Sequence, residues 1–142
     1  MPMVPLYDTL GEQGVKYILN QTELRILLAH PATLPNYIKY LPDTPFVKML
    51  VKLPDSAGQD TCSEEEVNAA RENEVEIVSW TEFLGSGQLH MCEPNFPTPD
   101  DVCTLCYTSG MWLQNGKGNT FFSGRHSHIL FIESNKLLER RY

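Results

Sequence analysis

Apolar positions along the chain switch repeatedly between helical and extended spacing. Between residues 11 and 21 they recur three and four positions apart, which predicts a short amphipathic helix. The run LRILLA at residues 24–29 is continuous and is followed by His30 and Pro31, as expected for a buried strand. The segment of residues 33–41 is predicted to return to a helix.

A second strand is predicted over residues 47–53, VKMLVKL, from alternation. Val47, Met49 and Val51 form an apolar face, whereas Leu50 falls on the other face together with two lysines. The pattern therefore predicts one apolar face and one mixed face.

The middle of the sequence carries strong helix-start signals. Residues 63–73 begin with Ser-Glu-Glu-Glu, a capping box with an acidic first turn that suits the helix dipole. A short strand is predicted at residues 75–78, and Ser79 is expected to cap another helix. Gly85 and Gly87 are predicted to end that helix.

A proline-rich connector, EPNFPTPDD, precedes the last predicted strand, residues 102–107. Strands that alternate with short helices predict an α/β fold, a partial three-layer domain with a mainly parallel sheet. In such sheets ligands bind beyond the carboxyl ends of the strands. The residues that follow Tyr107 are therefore the first place to search for a site.

Net charge and the distribution of apolar residues limit the classes of partner that the chain is expected to bind. A formal charge of −7 over 142 residues disfavours binding to nucleic-acid phosphates, so no nucleic-acid partner is expected. No stretch approaches the ~20 apolar residues of a membrane span, and no secretion signal is expected at the N-terminus. The segment from Leu130 to Arg141 could form a short interfacial helix, which leaves only a weak signal for membrane contact.

The cysteines are interpreted as reduced intracellular thiols rather than as a disulfide framework. Cys103 and Cys106 form a C-x-x-C pair, but on a strand they face opposite sides, so core thiols are favoured over a metal or redox pair. His126 and His128 are the nearest additional ligands. No metal site and no catalytic base are predicted.

The predicted strand at residues 102–107 runs directly into Thr108, Ser109 and Gly110. Hydroxyls and backbone N–H groups in a small-residue turn can bind phosphate oxygens. A tight turn without a ligand is the alternative for such a short triplet.

Three landmarks carry a resemblance to a known family: VPLYDTLG at residues 4–11, the acidic proline-rich connector, and DVCTLCYTSG at residues 101–110. In this order they resemble long-chain fatty-acid–CoA ligases (acyl-CoA synthetases) of the AMP-binding, acyl-adenylate-forming superfamily. The resemblance covers roughly residues 4–110 and implies a fragment of the large N-terminal domain.

The resemblance implies that the intact family members activate a fatty acid with ATP and Mg²⁺ to an acyl-adenylate and then form a thioester with CoA. Thr108, Ser109 and Gly110 would open the phosphate loop. Fatty acid, ATP and CoA are thus the expected partners, and the endoplasmic reticulum or the peroxisome is the expected location. Ligase, ATP-binding and lipid-metabolism roles follow in the same way.

The sequence departs from the family after Gly110. Where the family continues Thr-Thr-Gly, a variable residue and Pro-Lys-Gly, this chain has MWLQNGKG, whose bulky residues hinder close approach of phosphates. Lys117 is similar to the loop lysine if one residue is inserted, and chance similarity is the alternative. The isolated chain is therefore not expected to bind these cofactors well or to catalyse the reaction.

Residues 1–110 are thus predicted to form a partial ligase domain, and residues 111–142 a divergent tail. Gly110, Met111 and Trp112 are encoded by GGN, ATG and TGG, which contain the intron donor GTATGT when N is T. Intron read-through is therefore one hypothesis for the tail. The alternative functions are a non-catalytic interaction module and a truncated product without a selected function.

Overall fold

A computed structural model describes residues 2–7, 10–98 and 101–108, together with the backbone of residues 128–133. The chain divides into two units. One, here called the terminal unit, comprises Met1–Tyr7 and Pro94–Tyr142; the other, the central unit, is Asp8–Glu93.

Helices and strands alternate through the central unit. Their bounds are α1 Glu12–Gln21, β1 Ile26–Ala29, α2 Leu34–Tyr40 followed by a 3-10 turn Leu41–Asp43, β2 Met49–Lys52, α3 Glu64–Arg71, β3 Glu76–Ser79 and α4 Trp80–Leu89. The three strands form a parallel sheet in the order β1-β2-β3, with Leu27 opposite Leu50 and Leu50 opposite Ile77. The predicted α/β class with a mainly parallel sheet is confirmed.

The core of the central unit lies on both faces of β2. Leu50 and Val51 are neighbours that face opposite sides of the sheet, and both are 0% exposed. Leu50, on the face that the sequence predicts to be mixed, is thus as buried as Val51, because a central parallel strand is covered on both sides. The other buried apolar residues of the central unit are Val15, Ile18, Leu19, Leu27, Ala29, Leu34, Leu41, Val47, Ala70 and Val75.

Both predicted helix caps are present as complete capping boxes. Ser63 accepts a hydrogen bond from the Glu66 N–H at 3.2 Å, and the Glu66 side chain accepts from the Ser63 N–H at 2.8 Å. At the start of α4, Ser79 and Glu82 repeat this arrangement. Each box satisfies two backbone donors that would otherwise lack partners.

The predicted end of α4 at Gly85 and Gly87 was wrong, because the helix continues to Leu89. Neither glycine has the positive φ that ends a helix, and glycine within a helix costs only about 1 kcal/mol. The capping box at Ser79 and the helical hydrogen bonds outweigh that cost.

In the terminal unit, β4 covers Val102–Thr108 and pairs in parallel with β5, His128–Glu133. On its other side β4 is joined to Met3: the Met3 N–H donates to the Cys103 carbonyl and the Leu105 N–H donates to the Met3 carbonyl, each at 2.9 Å. The interfacial helix predicted from Leu130 was wrong for residues 130–133, which lie in β5. Residues 134–142 lie outside the described part of the chain.

The cysteine pair on β4 only partly matches the prediction. Cys103 is exposed and Cys106 is half-buried, so the two thiols differ in environment, as residues on opposite faces do. The expectation that both are core thiols is wrong for Cys103, since its face of β4 is not covered by other described residues.

Candidate functional site at the carboxyl end of β4

The carboxyl end of β4 is where the sequence predicts phosphate binding. Thr108 is the last residue of β4, and its backbone lies opposite Glu133, the last residue of β5. Because the two strands are parallel, both carboxyl ends lie at the same edge, which is where α/β sheets bind ligands. The candidates Ser109, Gly110 and Lys117 lie outside the described residues, so of the predicted site the structure places the Thr108 backbone.

Tyr107 anchors the strand immediately before this end. Its side chain is only 7% exposed, the lowest value among the described residues of the terminal unit. A buried ring one residue before Thr108 fixes the position of the strand end. The sequence analysis assigned no role to Tyr107, and an aromatic residue before a small-residue turn is the signal that could have identified it as an anchor.

The entry to β4 is a turn closed by Asp101. The Asp101 carboxylate accepts hydrogen bonds from the Thr98 N–H at 2.6 Å and from the Thr98 hydroxyl at 2.9 Å. The hydrogen bond from the Thr98 backbone and, to a smaller extent, the one from its hydroxyl hold the pKa of Asp101 below its usual value of 3.8. The acidic, proline-rich connector is thus a locally bonded entry to the strand as well as a spacer.

A second group of polar residues lies at the carboxyl ends of β2 and β3 in the central unit. The Lys52 ammonium contacts Glu66 at 2.8 and 3.0 Å and the Thr61 carbonyl at 3.0 Å, and its side chain is only 13% exposed. Burial raises the pKa of Glu66, but the hydrogen bonds from Lys52 and Ser63 outweigh that effect and leave the pKa lowered.

This cluster has structural partners for its charges. Lys52 is neutralised by Glu66, and Asp60 accepts the Thr81 N–H at 2.7 Å, which lowers the pKa of Asp60. A lysine neutralised in this way is poorly suited to bind a phosphate. The sequence analysis missed the ion pair, although a lysine ending a strand before an acidic helix start is a usable signal in a strand–helix–strand unit.

A groove of about 820 Å³ borders β3 and α4. Its apolar lining includes Val78, Phe83 and Met91, but Glu76 and Glu82 also line it. Their negative charge would repel the carboxylate of a fatty acid. The groove therefore offers apolar surface without the positive group that would orient such a ligand.

Neither metal ligation nor membrane insertion is indicated by the described residues. In that part of the chain no group of three or more histidine, cysteine or carboxylate side chains is placed to hold a metal ion. Likewise, none of the described helices has the length and apolarity needed to cross a bilayer. His30 and His90 are exposed and far from the carboxyl end of β4 in sequence.

Comparison with known proteins finds a matching family model and several similar relatives. The family model for AMP-binding enzyme matches residues 1–110. The chain is 37% identical over 109 residues to long chain acyl-CoA synthetase 7, peroxisomal, of Arabidopsis thaliana, covering 75% of this chain and 14% of that protein. It is 33% identical over 110 residues to long-chain-fatty-acid–CoA ligase 1 of Cavia porcellus, covering 78% and 15%.

A solved structure supports the same fold. The adenylation domain of a carboxylate reductase from Mycobacterium chelonae aligns with a TM-score of 0.56 and 22% identity, over 75% of this chain and 18% of that one. The chain thus spans only about a seventh of the length of the curated relatives named above. None of these matches favours the alternative of a non-catalytic interaction module.

Proposed function

Because this chain belongs to the AMP-binding enzyme family, we propose that its residues 1–110 serve as a section of the large domain of a long-chain fatty-acid–CoA ligase. The observation that carries the proposal is β4, a parallel strand whose last residue, Thr108, lies at the carboxyl end of its sheet, where α/β folds generally bind ligands. The resemblance of its sequence to acyl-CoA synthetases supplies the substrate class: a fatty acid, ATP and CoA.

The proposed role of the β4 end is phosphate binding. Thr108 and Ser109 contribute hydroxyls and backbone N–H groups, and Gly110 allows a phosphate to approach the backbone closely. The residue types fit a nucleotide phosphate, since each is a hydrogen-bond donor or a residue without a side chain. ATP with Mg²⁺ would supply the adenylyl group that is transferred to the fatty-acid carboxylate, which gives the mixed anhydride and releases pyrophosphate. Lys117 is proposed as an additional cation for this site.

We further propose that the chain with its present loop does not catalyse adenylation by itself. Met111, Trp112 and Leu113 stand where the family has two threonines and a glycine, so hydroxyl donors are lost and bulk is added. Removing a single preorganised donor from an anionic site commonly lowers kcat about 100-fold or more. Two lost hydroxyl donors and one replaced glycine in the same loop are together expected to abolish measurable turnover.

The test is a pair of exchanges into the Arabidopsis synthetase named above. In the first, the segment that aligns with residues 102–110 is replaced by those residues of this chain; in the second, the replacement extends to residue 118. ATP-dependent formation of acyl-CoA is measured for both, with the thermal midpoint as a folding control. We expect the first exchange to retain activity within about 10-fold and the second to lose at least about 100-fold at a similar midpoint.

Two results would contradict the proposal. An inactive but folded first exchange would show that β4 with Thr108, Ser109 and Gly110 cannot serve as the phosphate strand. A fully active second exchange would show that the loop of this chain is compatible with catalysis. A Ser109→Ala change in the first exchange tests the hydroxyl directly, and a loss of several-fold in kcat is expected.

The names of similar proteins are the only basis for proposing a cellular compartment. Two of the Arabidopsis synthetases that match the chain are named as peroxisomal. We propose the peroxisome or the endoplasmic reticulum as the site of action, and fluorescence microscopy of the natural full-length gene product with organelle markers tests this.

A further inference from the structure

The pairing of β4 with β5 brings part of the divergent tail into the sheet. Thr104, Leu105 and Cys106 lie opposite Ile129, Leu130 and Phe131, and the register continues to Thr108 opposite Glu133. The sequence of β5, HILFIE, has four consecutive apolar residues between polar ends. Such a run is typical of a parallel strand that is covered on both faces.

The backbone of β4 explains why it needs a neighbour on this side. The Leu105 N–H and the Cys103 carbonyl bond to Met3. Because backbone polar groups alternate sides along a strand, the N–H groups of Thr104 and Cys106 point away from Met3, toward β5. Without β5 these donors would form an unpaired strand edge, which natural proteins avoid.

The connection between the two strands has a suitable length. Parallel strands need a crossover of roughly a dozen or more residues, and residues 109–127 exceed that requirement. In sequence, the candidates Ser109, Gly110 and Lys117 all lie between β4 and β5.

We propose that residues 128–133 are a native strand of this protein, and that they hold the carboxyl end of β4 in place from within the tail. On this proposal, residues 128–133 are coding sequence rather than translated intron. This inference does not depend on ligase activity, since it concerns backbone pairing alone.

Amide exchange measured by NMR on the full chain tests the pairing residue by residue. If β5 pairs with β4, the N–H groups of Thr104 and Cys106 exchange at least about 10-fold more slowly than in the unfolded chain. Nuclear Overhauser contacts between the β4 and β5 backbones are expected as well. Leu105 serves as an internal control, because its N–H bonds to Met3 instead.

A proline variant separates the two sides of β4. Leu130→Pro removes a backbone donor within β5 and should raise the exchange of Thr104 and Cys106 by about 10-fold or more, with little change at Leu105. Asn135→Pro, beyond the end of β5, is the matched control and should leave all three amides unchanged. If Leu130→Pro does not fold, the amide-exchange pattern of the unaltered chain still tests whether β5 pairs with β4.

The contrary result is equally clear. Exchange of Thr104 and Cys106 at the unfolded rate in the unaltered chain, with Leu105 protected, would overturn the proposal. Sequencing of full-length transcripts across the codons for Gly110 to Trp112 gives an independent reading: retention of the tail in frame across related genes is expected, whereas its dominant removal would favour read-through.

Discussion

The central and terminal units are stabilised in different ways. In the central unit, Leu50 and Val51 on opposite faces of β2 are fully buried, and two capping boxes fix helix starts. In the terminal unit, the described contacts of β4 are mainly backbone hydrogen bonds to Met3 and pairing with β5, and Tyr107 is the one apolar residue described as buried there. Burial therefore specifies the first unit, whereas pairing of distant segments specifies the second.

The largest expected effect is at the centre of the buried sheet. Leu50→Ala should lower the free energy of unfolding by about 2–5 kcal/mol, because the side chain is 0% exposed and its removal leaves a cavity. Leu28→Ala on the edge strand β1 is the matched control; Leu28 is 47% exposed, so about 1 kcal/mol or less is expected. Urea unfolding followed by circular dichroism measures both. Equal losses would mean that β2 is not the covered strand.

The same contrast explains what the sequence could predict. The capping boxes at Ser63 and Ser79 were predictable because each is encoded within four residues. The burial of Leu50 was not, since its alternation with lysines resembles a half-exposed strand unless the strand order is known. The pairing of β4 with Met3 and β5 joins segments far apart in sequence, which local patterns do not report.

The candidate site, too, could be predicted from the sequence only where local patterns encode it. The strand that leads to Thr108 was predicted after the proline-rich connector, and the structure confirms a strand there. The phosphate-binding role came from resemblance, because a Thr-Ser-Gly triplet alone does not distinguish a ligand loop from a turn. Tyr107 and the Lys52–Glu66 pair were missed, since both depend on which residues the fold brings together.

The next effect concerns the ion pair of the central unit. Glu66→Gln keeps an acceptor for the Ser63 N–H but removes the negative charge beside Lys52, which is nearly buried. A loss of about 1–2 kcal/mol is expected at neutral pH. Glu65→Gln, an exposed neighbour in the same helical turn, removes the same charge and should cost only a few tenths of a kcal/mol.

The pH dependence of the unfolding free energy tests whether the contact between Lys52 and Glu66 depends on charge. Since the pKa of Glu66 is lowered in the folded state from its usual 4.5, its stabilisation is present above about pH 4.5 and is lost as the pH falls through the lowered value. The difference in unfolding free energy between the unaltered chain and Glu66→Gln should therefore shrink on acidification. A difference that stays constant between pH 7 and pH 3 would contradict a charge-based contact.

A smaller effect of opposite sign, a gain in stability, is expected from a substitution in the turn that follows α3. Glu74 has a φ of 58°, and its neighbour Val75 donates its N–H to Ala70 at 3.1 Å, so the helix ends with a left-handed residue that is not glycine. Glu74→Gly should stabilise the chain by up to about 1 kcal/mol. Glu72→Gly, at a φ of −59°, should instead destabilise it by up to about 1 kcal/mol. Changes of the same sign in thermal midpoint would argue against this geometry.

The smallest effect tests whether the terminal unit is ordered before β4. Because Thr98 donates two hydrogen bonds to Asp101, the Asp101 pKa should lie below 3.8 in an NMR titration of its carboxyl carbon. Thr98→Ala removes the hydroxyl and keeps the backbone donor, so the pKa should rise only part of the way to 3.8. The turn is stabilised above that pH and weakened as the pH falls through the lowered value. An Asp101 pKa at its usual value in the unaltered chain would mean that the turn is not closed, and that the backbone pairing of β4 must hold without a fixed entry.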